Sequence, residues 1–431
     1  MKVSVIPRAV RPSPVALGLY FRAARNDHTA LSQIISTGPR DFHGIVFDAS
    51  RLKRHKELLD VAEKARLECI LDPCTQASAT VGGFNDGHAA LPWCGDRPHS
   101  LDDFLADKQQ QIVARLSEFV LEHRFTQCIS ATHLIRDADD KWLAVDIETF
   151  NHLRDHLNQN GGKNIGLIYS LALPYAAFRN EDIRESIVNR LQGLPAHSLW
   201  IKVEGCGMNS TAAGLRNYLD AVADFHHLGF PVVADQFGGL VGLSALSLST
   251  VGGLASGITL GEHFTAQHWR RPSSGTKHML HPRVYFPNLD IYLKPAEAKA
   301  LFELPGRIKA QFGCSDSTCC PRGVVDMLQN PSRHFIFQRM KQVSEMAKVP
   351  EPFRARDFLE KYVCPTTDHV LRLSAYDGLD SKFQQRILNH RKRLDALRVL
   401  LGGIVNANAT STQSAIPATR AGHDDRASRL V

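Results

Sequence analysis

From about residue 15 to residue 260, short β-branched runs that end in a polar side chain alternate with longer stretches whose apolar residues recur at helical spacing. That rhythm is the signature of βα units. The apolar runs predict eight strands, at Val15 to Tyr20, Gly44 to Asp48, Glu68 to Asp72, Thr126 to Thr132, Asn164 to Leu171, Ser198 to Glu204, Pro231 to Asp235 and Leu254 to Leu260. Between them fall seven helical stretches: Ala30 to Ser36, Leu52 to Ala65, Leu101 to His123, Ile147 to Leu157, Asn180 to Leu191, Ala212 to Leu228 and Leu240 to Ser249. Ser100 and Ser210 or Thr211 stand where N-caps belong, and Gly229 stands where a helix ends in a left-handed residue. Eight strands with helices between them predict an α/β fold, a closed (β/α)8 TIM barrel over residues 1–274. A doubly wound open sheet is the runner-up, but it normally carries a Gly-x-Gly-x-x-Gly turn after its first strand, and none occurs here.

The rhythm breaks twice. Between Thr75 and Ser100, Pro, Gly, Asp and His recur without period, which predicts a long loop over the strand ends, placed to act as a lid. Beyond residue 274 the texture changes: R-V-Y-F-P-N-L-D-I-Y-L-K and R-I-K-A-Q-F read as short antiparallel strands leading to a cysteine cluster. Phe335 to Tyr362 reads as a helical hairpin broken at V-P-E-P, so residues 275–365 form a small appended subdomain. A helical segment over 366–402 follows, and 403–431 is a small-residue, aperiodic tail expected to be disordered.

Composition narrows the setting. The 431 residues are 43% hydrophobic and 22% charged, and no run approaches the roughly 18 apolar residues of a membrane span. Prolines break the apolar run of the N-terminus, so it does not read as a secretory signal. Nine cysteines, an odd number with one tight cluster, suit a reducing compartment, and a cytoplasmic location is expected. The net charge of +7 permits a polyanionic partner without requiring one. Basic residues gather at 51–56, 268–271, 277–283 and 391–393, each of which is also explained as a solvated face; Trp269 and Tyr285 lie among the middle two groups, where they can stack a base.

In a barrel of this kind the reacting groups project from the C-terminal ends of strands. Five carboxylates are predicted there: Asp48, Asp72, Glu204, Asp235 and Glu262. An acidic mouth suits either a divalent metal or an oxocarbenium-like carbon, although each acid alone is also explained as a cap or rim ion pair. His133 lies just past a strand, but no His-x-His or His-Glu-x-x-His spacing accompanies it, which weakens a metallohydrolase reading.

The remaining cluster is Cys314, Cys319, Cys320 and His334, spaced Cys-x4-Cys-Cys-x13-His. Three thiolates and an imidazole make a closed tetrahedral shell for structural zinc. Adjacent cysteines reach one ion only from a turn or a helix start; the alternative is a buried small hydrophobe and a surface histidine.

This order of parts, over roughly residues 44–362, resembles the tRNA-guanine transglycosylases (queuine/archaeosine tRNA-ribosyltransferases). Three stretches carry the resemblance: Gly257-Ile258 followed by Glu262 at the position of the family's nucleophilic aspartate, Cys69-Ile70-Leu71-Asp72 at its acid/base aspartate, and the H-F-I-F-Q-R-M and F-R-A-R-D-F-L-E-K-Y stretches starting at His334 and Phe353. The chain departs from the family in its cysteine spacing, in D-P-C-T-Q after Asp72 where the family has D-S-G-G-F-Q, and at Val203 to Gly207, where the base-recognising glycine loop is not evident.

The resemblance implies a divergent pentosyltransferase that exchanges guanine for a 7-deazaguanine-type base in tRNA or DNA through a covalent glycosyl-carboxylate. It implies Glu262 as nucleophile, Asp72 for proton transfer, and Glu204, Asp235, Asp48 and His133 as substrate contacts. It also implies Zn2+ on the cysteine cluster, Lys277, Arg283, Arg307 and Lys309 against the phosphate backbone, and pairing as a homodimer or with a partner subunit. Two other classes stand beside it: a non-catalytic barrel binding nucleic acid or protein, and a divalent-metal hydrolase.

Overall fold

In the computed structural model, residues 17–271, 282–376 and 378–414 are described, with side chains as far as residue 407. Eight parallel strands close into a barrel in chain order: β1 (Gly18–Ala23), β2 (Gly44–Asp48), β3 (Glu68–Asp72), β4 (Gln127–Ile129), β5 (Gly166–Pro174), β6 (Ser198–Glu204), β7 (Val232–Asp235) and β8 (Gly253–Gly257). β8 pairs with β1 in parallel, Leu19 opposite Leu254 and Arg22 opposite Gly257, which seals the ring. The fold is the (β/α)8 barrel that the alternating pattern predicts.

Strand side chains alternate, so one set of every strand fills the barrel. Val46, Ile70, Ile129, Ile168, Trp200, Val233 and Ala255, with Tyr20 against them, form the interior layer, one from each strand. Two residues further along each strand the chemistry changes to Arg22, Asp48, Asp72, Ser170, Lys202 and Asp235. The barrel is thus floored by hydrocarbon and opens on charge.

The helices form where amphipathic stretches carry caps. Thr211 accepts the Gly214 N–H at the start of Ala212–Phe225, and Gly229 closes that region at φ 76°. Ser100 and Asp103 form a reciprocal capping box. The stretch 75–100 contains two single-turn helices, Thr75–Ser78 and Asp86–Ala89. It is tied to the β8 loop by the Gly82 N–H to the Trp269 carbonyl at 2.9 Å.

Beyond the barrel, β9 (Val284–Phe286) and β10 (Ile291–Leu293) pair antiparallel. The expected strand at 307–312 is instead the short helix Ile308–Phe312. Its buried Ile308 and Phe312 satisfy a helical i, i+4 face as well as an alternating one, and packing chose the helix. The helix Pro331–Ala347 packs on His28–Thr37, and Glu351–Phe358 packs on Gly239–Ser247, so the appended segment covers the seam between the last and first barrel helices.

A final helix, Ser381–Ser414, runs through the stretch expected to be disordered from 403. Val405 is buried and Ile404 packs on the core, which offsets the helix cost of Gly402 and Gly403. The expected boundary at 274/275 lies outside the described residues.

Candidate active site and metal centre

The sequence of β1, G-L-Y-F-R-A, places one cation on an otherwise apolar strand. Arg22 projects into the mouth, donating from Nε and Nη2 to the two oxygens of Asp235 at 2.6 and 2.5 Å and from Nη1 to Asp72 at 2.7 Å. Lys202 on β6 lies 3.3 Å from Asp235 and donates to Gln76 Oε1 at 3.0 Å. The Gln76 amide donates in turn to Thr132 and Ser170. Two cations and two carboxylates from four strands therefore form one network.

Its members differ in access. Asp235 is fully enclosed, whereas the Asp72 side chain is 18% exposed, with its second oxygen receiving the Cys74 N–H at 2.9 Å. Burial alone would raise the Asp72 carboxyl, but Arg22 and Lys202 outweigh it and hold the group below the usual carboxylate range. The mouth thus presents an ionised, partly open carboxylate.

Other expected site residues sit elsewhere. Asp48 is on the mouth layer but caps the turn after β2, accepting from Ser50 N at 2.9 Å and from the Cys74 thiol at 2.9 Å. Glu204 is held by Arg270 from the β8 loop. His133 is buried, with Nδ1 2.6 Å from Asp146 and its backbone N–H donated to the same carboxylate at 2.8 Å.

Glu262 is corrected outright. After β8 the chain turns sharply through Gly261 at φ 87° and runs back across the loops after β6 and β7. The Glu262 side chain fills space that Gly238 leaves free; a Cβ on Gly238 would lie 2.3 Å from the Glu262 carboxyl. Its oxygens receive Arg339 Nη2 at 2.7 Å, Tyr292 OH at 2.6 Å and the Gly239 N–H at 3.2 Å, and both ion-pair side chains are at most 2% exposed. No oxygen is offered to the mouth, so this glutamate ties the barrel to the appended segment and does not serve as a nucleophile.

Arg22, Lys202, Gln76 and Asp146 did not figure among the sequence candidates. The first two carried a signal: a lone cation at period two from interior apolar residues of a buried strand has no bland packing role.

Cys314, Cys319, Cys320 and His334 come together, all four donor atoms within 4.8 Å of one another, and can hold a metal ion. Asp316 makes the adjacent cysteines convergent: its carboxylate accepts the Thr318 and Cys319 N–H groups and its carbonyl accepts that of Cys320, forming the tight turn that the spacing requires. Cys319 Sγ lies 3.7 Å from Cys320 Sγ, and His334 Nδ1 lies 3.4 and 3.5 Å from them. His334 Nε2 is 3.0 Å from the Tyr285 carbonyl, which fixes Nδ1 as the free donor atom. Hydrogen bonds from Cys319 and Cys320 pull the Cys314 thiol far down while raising their own, so the cluster is built to give up protons.

Arg283, Arg307 and Lys309 are exposed, and Lys277 lies outside the described residues. No helix among the described residues is long and apolar enough to cross a membrane.

No protein-family model and no curated protein matches the sequence. Similar solved structures include the carboxyl transferase domain of Rhizobium etli pyruvate carboxylase, at 10% identity and TM-score 0.39, covering 94% of this chain and 62% of that one. A type I 3-dehydroquinate dehydratase from Clostridium difficile has 11% identity and TM-score 0.36, covering 59% and 89%. An endo-1,4-beta-D-xylanase from Clostridium thermocellum has 10% identity and TM-score 0.37, covering 59% and 62%. The chain spans under two thirds of the first of these. At such scores the likenesses carry no argument about reaction, and the fold rests on the strand register.

Proposed function

We propose that this chain is a barrel transglycosylase that exchanges a purine or 7-deazapurine base in nucleic acid, tRNA or DNA, with Asp72 as the nucleophile. The observation that carries the reading is the ionised, partly open Asp72 carboxylate on the Arg22 bridge. In the first half-reaction an Asp72 oxygen bonds to the anomeric carbon, the glycosidic C–N bond breaks, and its electron pair leaves with the base. In the second half the incoming base displaces the carboxylate, the two-step logic of retaining glycosyl transfer. Arg22, also bound to buried Asp235, keeps Asp72 oriented and charged between turnovers. The target base must leave its stack, which favours a loop or single strand.

The cysteine cluster favours zinc. Zinc–sulfur bonds of about 2.3 Å and zinc–nitrogen bonds of about 2.0–2.1 Å in a tetrahedron give edges of about 3.8 and 3.6 Å. The edges here are 3.7, 3.4 and 3.5 Å. Four protein donors leave no open position, so zinc would brace the appended segment, whose exposed Arg283, Arg307 and Lys309 can meet phosphates. All nine cysteines are free, which suits a reducing compartment.

A divalent-metal hydrolase is less well supported, because Arg22 and Lys202 already occupy the mouth carboxylates. The test is incorporation of labelled guanine into tRNA and into single-stranded DNA. The parent incorporates label, and Asp72→Asn drops incorporation at least a thousandfold with melting behaviour preserved; an active Asp72→Asn variant would remove the reading.

A further inference from the structure

Beside Gln76, between the loops that follow β3 and β4, lies a cavity of about 280 Å³ lined by Thr80, Leu101, His133, Leu134 and Trp142. His133 is 1% exposed and held on three sides. Its ring stacks on Trp142 at 3.6 Å between centroids and 19° between planes, and it meets the Phe104 edge at 4.8 Å. Asp146 takes Nδ1 at 2.6 Å and is itself fully buried. The remaining ring atom with chemistry, Nε2, is buried without a protein partner. A buried imidazole nitrogen normally has a partner, since leaving one unpaired costs on the order of 1–3 kcal/mol. Here the ring lines a cavity large enough for a planar heterocycle, and the cavity joins the mouth through Gln76, which Lys202 contacts.

We infer that His133 is a catalytic acid/base of this barrel, exchanging a proton through Nε2 with a ring nitrogen of the heterocycle in this cavity, with Asp146 as the positioning residue. The inference rests on the base-exchange reading and answers a question that reading leaves open. Asp72 is consumed as an ionised nucleophile, so the departing base needs its proton from another group. As the C–N bond breaks, the electron pair goes to the base, the Nε2 proton of the imidazolium follows it, and His133 is left neutral with Nδ1–H on Asp146. The incoming base returns a proton to Nε2 as it attacks the glycosyl-Asp72 carbon, restoring the imidazolium. The other titratable groups around the ring are His99, which burial and the neighbouring His133 push down to about 4 and so keep neutral, and Arg136, Asp140 and Lys141 at the cavity rim.

The test uses the full chain, with guanine as the probe. His133→Gln is expected to slow guanine exchange by about a hundredfold or more, with unchanged melting. His133→Gly opens a ring-sized hole beside Trp142, and added imidazole is expected to restore exchange there, while Asp72→Asn stays inactive with or without imidazole. Exchange in His133→Gln within threefold of the parent overturns the assignment. So does a slow, unstable His133→Gly variant that imidazole does not rescue, since that marks a packing role. A parent that exchanges no guanine overturns the base-exchange reading, and this assignment with it.

Discussion

At the residue scale, two acids were expected to share the chemistry, and their surroundings separate them. Asp72 meets its cation at an open mouth, whereas Glu262 meets Arg339 inside a sealed contact. Removing one partner of a buried pair leaves the other charge uncompensated, which costs about 3–5 kcal/mol. Glu262→Gln is therefore expected to lower unfolding free energy in urea by that order while the folded fraction keeps its activity per molecule. An unaltered urea midpoint would contradict the placement.

A second buried acid sets a pH dependence. Burial, only partly opposed by the Ala24 N–H and Arg51, raises Asp27 to about 6, against about 3.9 in an unfolded chain. The folded state holds this proton more tightly, so the contribution is complete below about pH 4 and is lost as pH rises through about 6, for a loss of up to about 2–3 kcal/mol. Unfolding free energies at pH 4 and 7 check it: the Asp27→Asn variant is expected to lack this part of the slope.

At the scale of elements, eight strands and seven barrel helices were legible because period-two and helical patterns alternate cleanly. What was not legible was phase. The first strand begins three residues later than its apolar run suggests, since pairing with β2 and β8 extends it through Phe21, Arg22 and Ala23. Arg22, the centre of the mouth network, was lost with those residues. Glu262 was misplaced for the complementary reason: β8 ends at Gly257, and nothing local announces the reversal through Gly261. Spacing located the cysteine ligands, because a turn and one helix start suffice to assemble them. The last helix was underestimated because glycine reads as a stop. Gly402 and Gly403 both sit in helical backbone where an added Cβ meets nothing. Replacing either with alanine is expected to stabilise by about 0.4–1 kcal/mol, seen as a higher melting temperature; destabilisation would mean that the helix is not continuous there.

At the scale of the whole molecule, the barrel and the appended segment form a single mechanical unit. The helix that carries His334 packs on the first barrel helix, and its Arg339 holds Glu262 of the β8 loop. Metal bound at the cysteine cluster thus steadies the mouth from behind. Purified protein is expected to hold about one zinc per chain, and Cys319→Ala little. Chelation is expected to lower the melting temperature of the barrel along with that of the segment, so two separate transitions would contradict this coupling.

The central claim is that chemistry occurs on Asp72. The most direct measurement is peptide mapping by mass spectrometry of protein denatured during turnover on a guanine-containing oligonucleotide. A glycosyl adduct on the peptide carrying Asp72, absent from Asp72→Asn, is the predicted result. An adduct on Glu262, or base exchange with no adduct at all, would contradict the account.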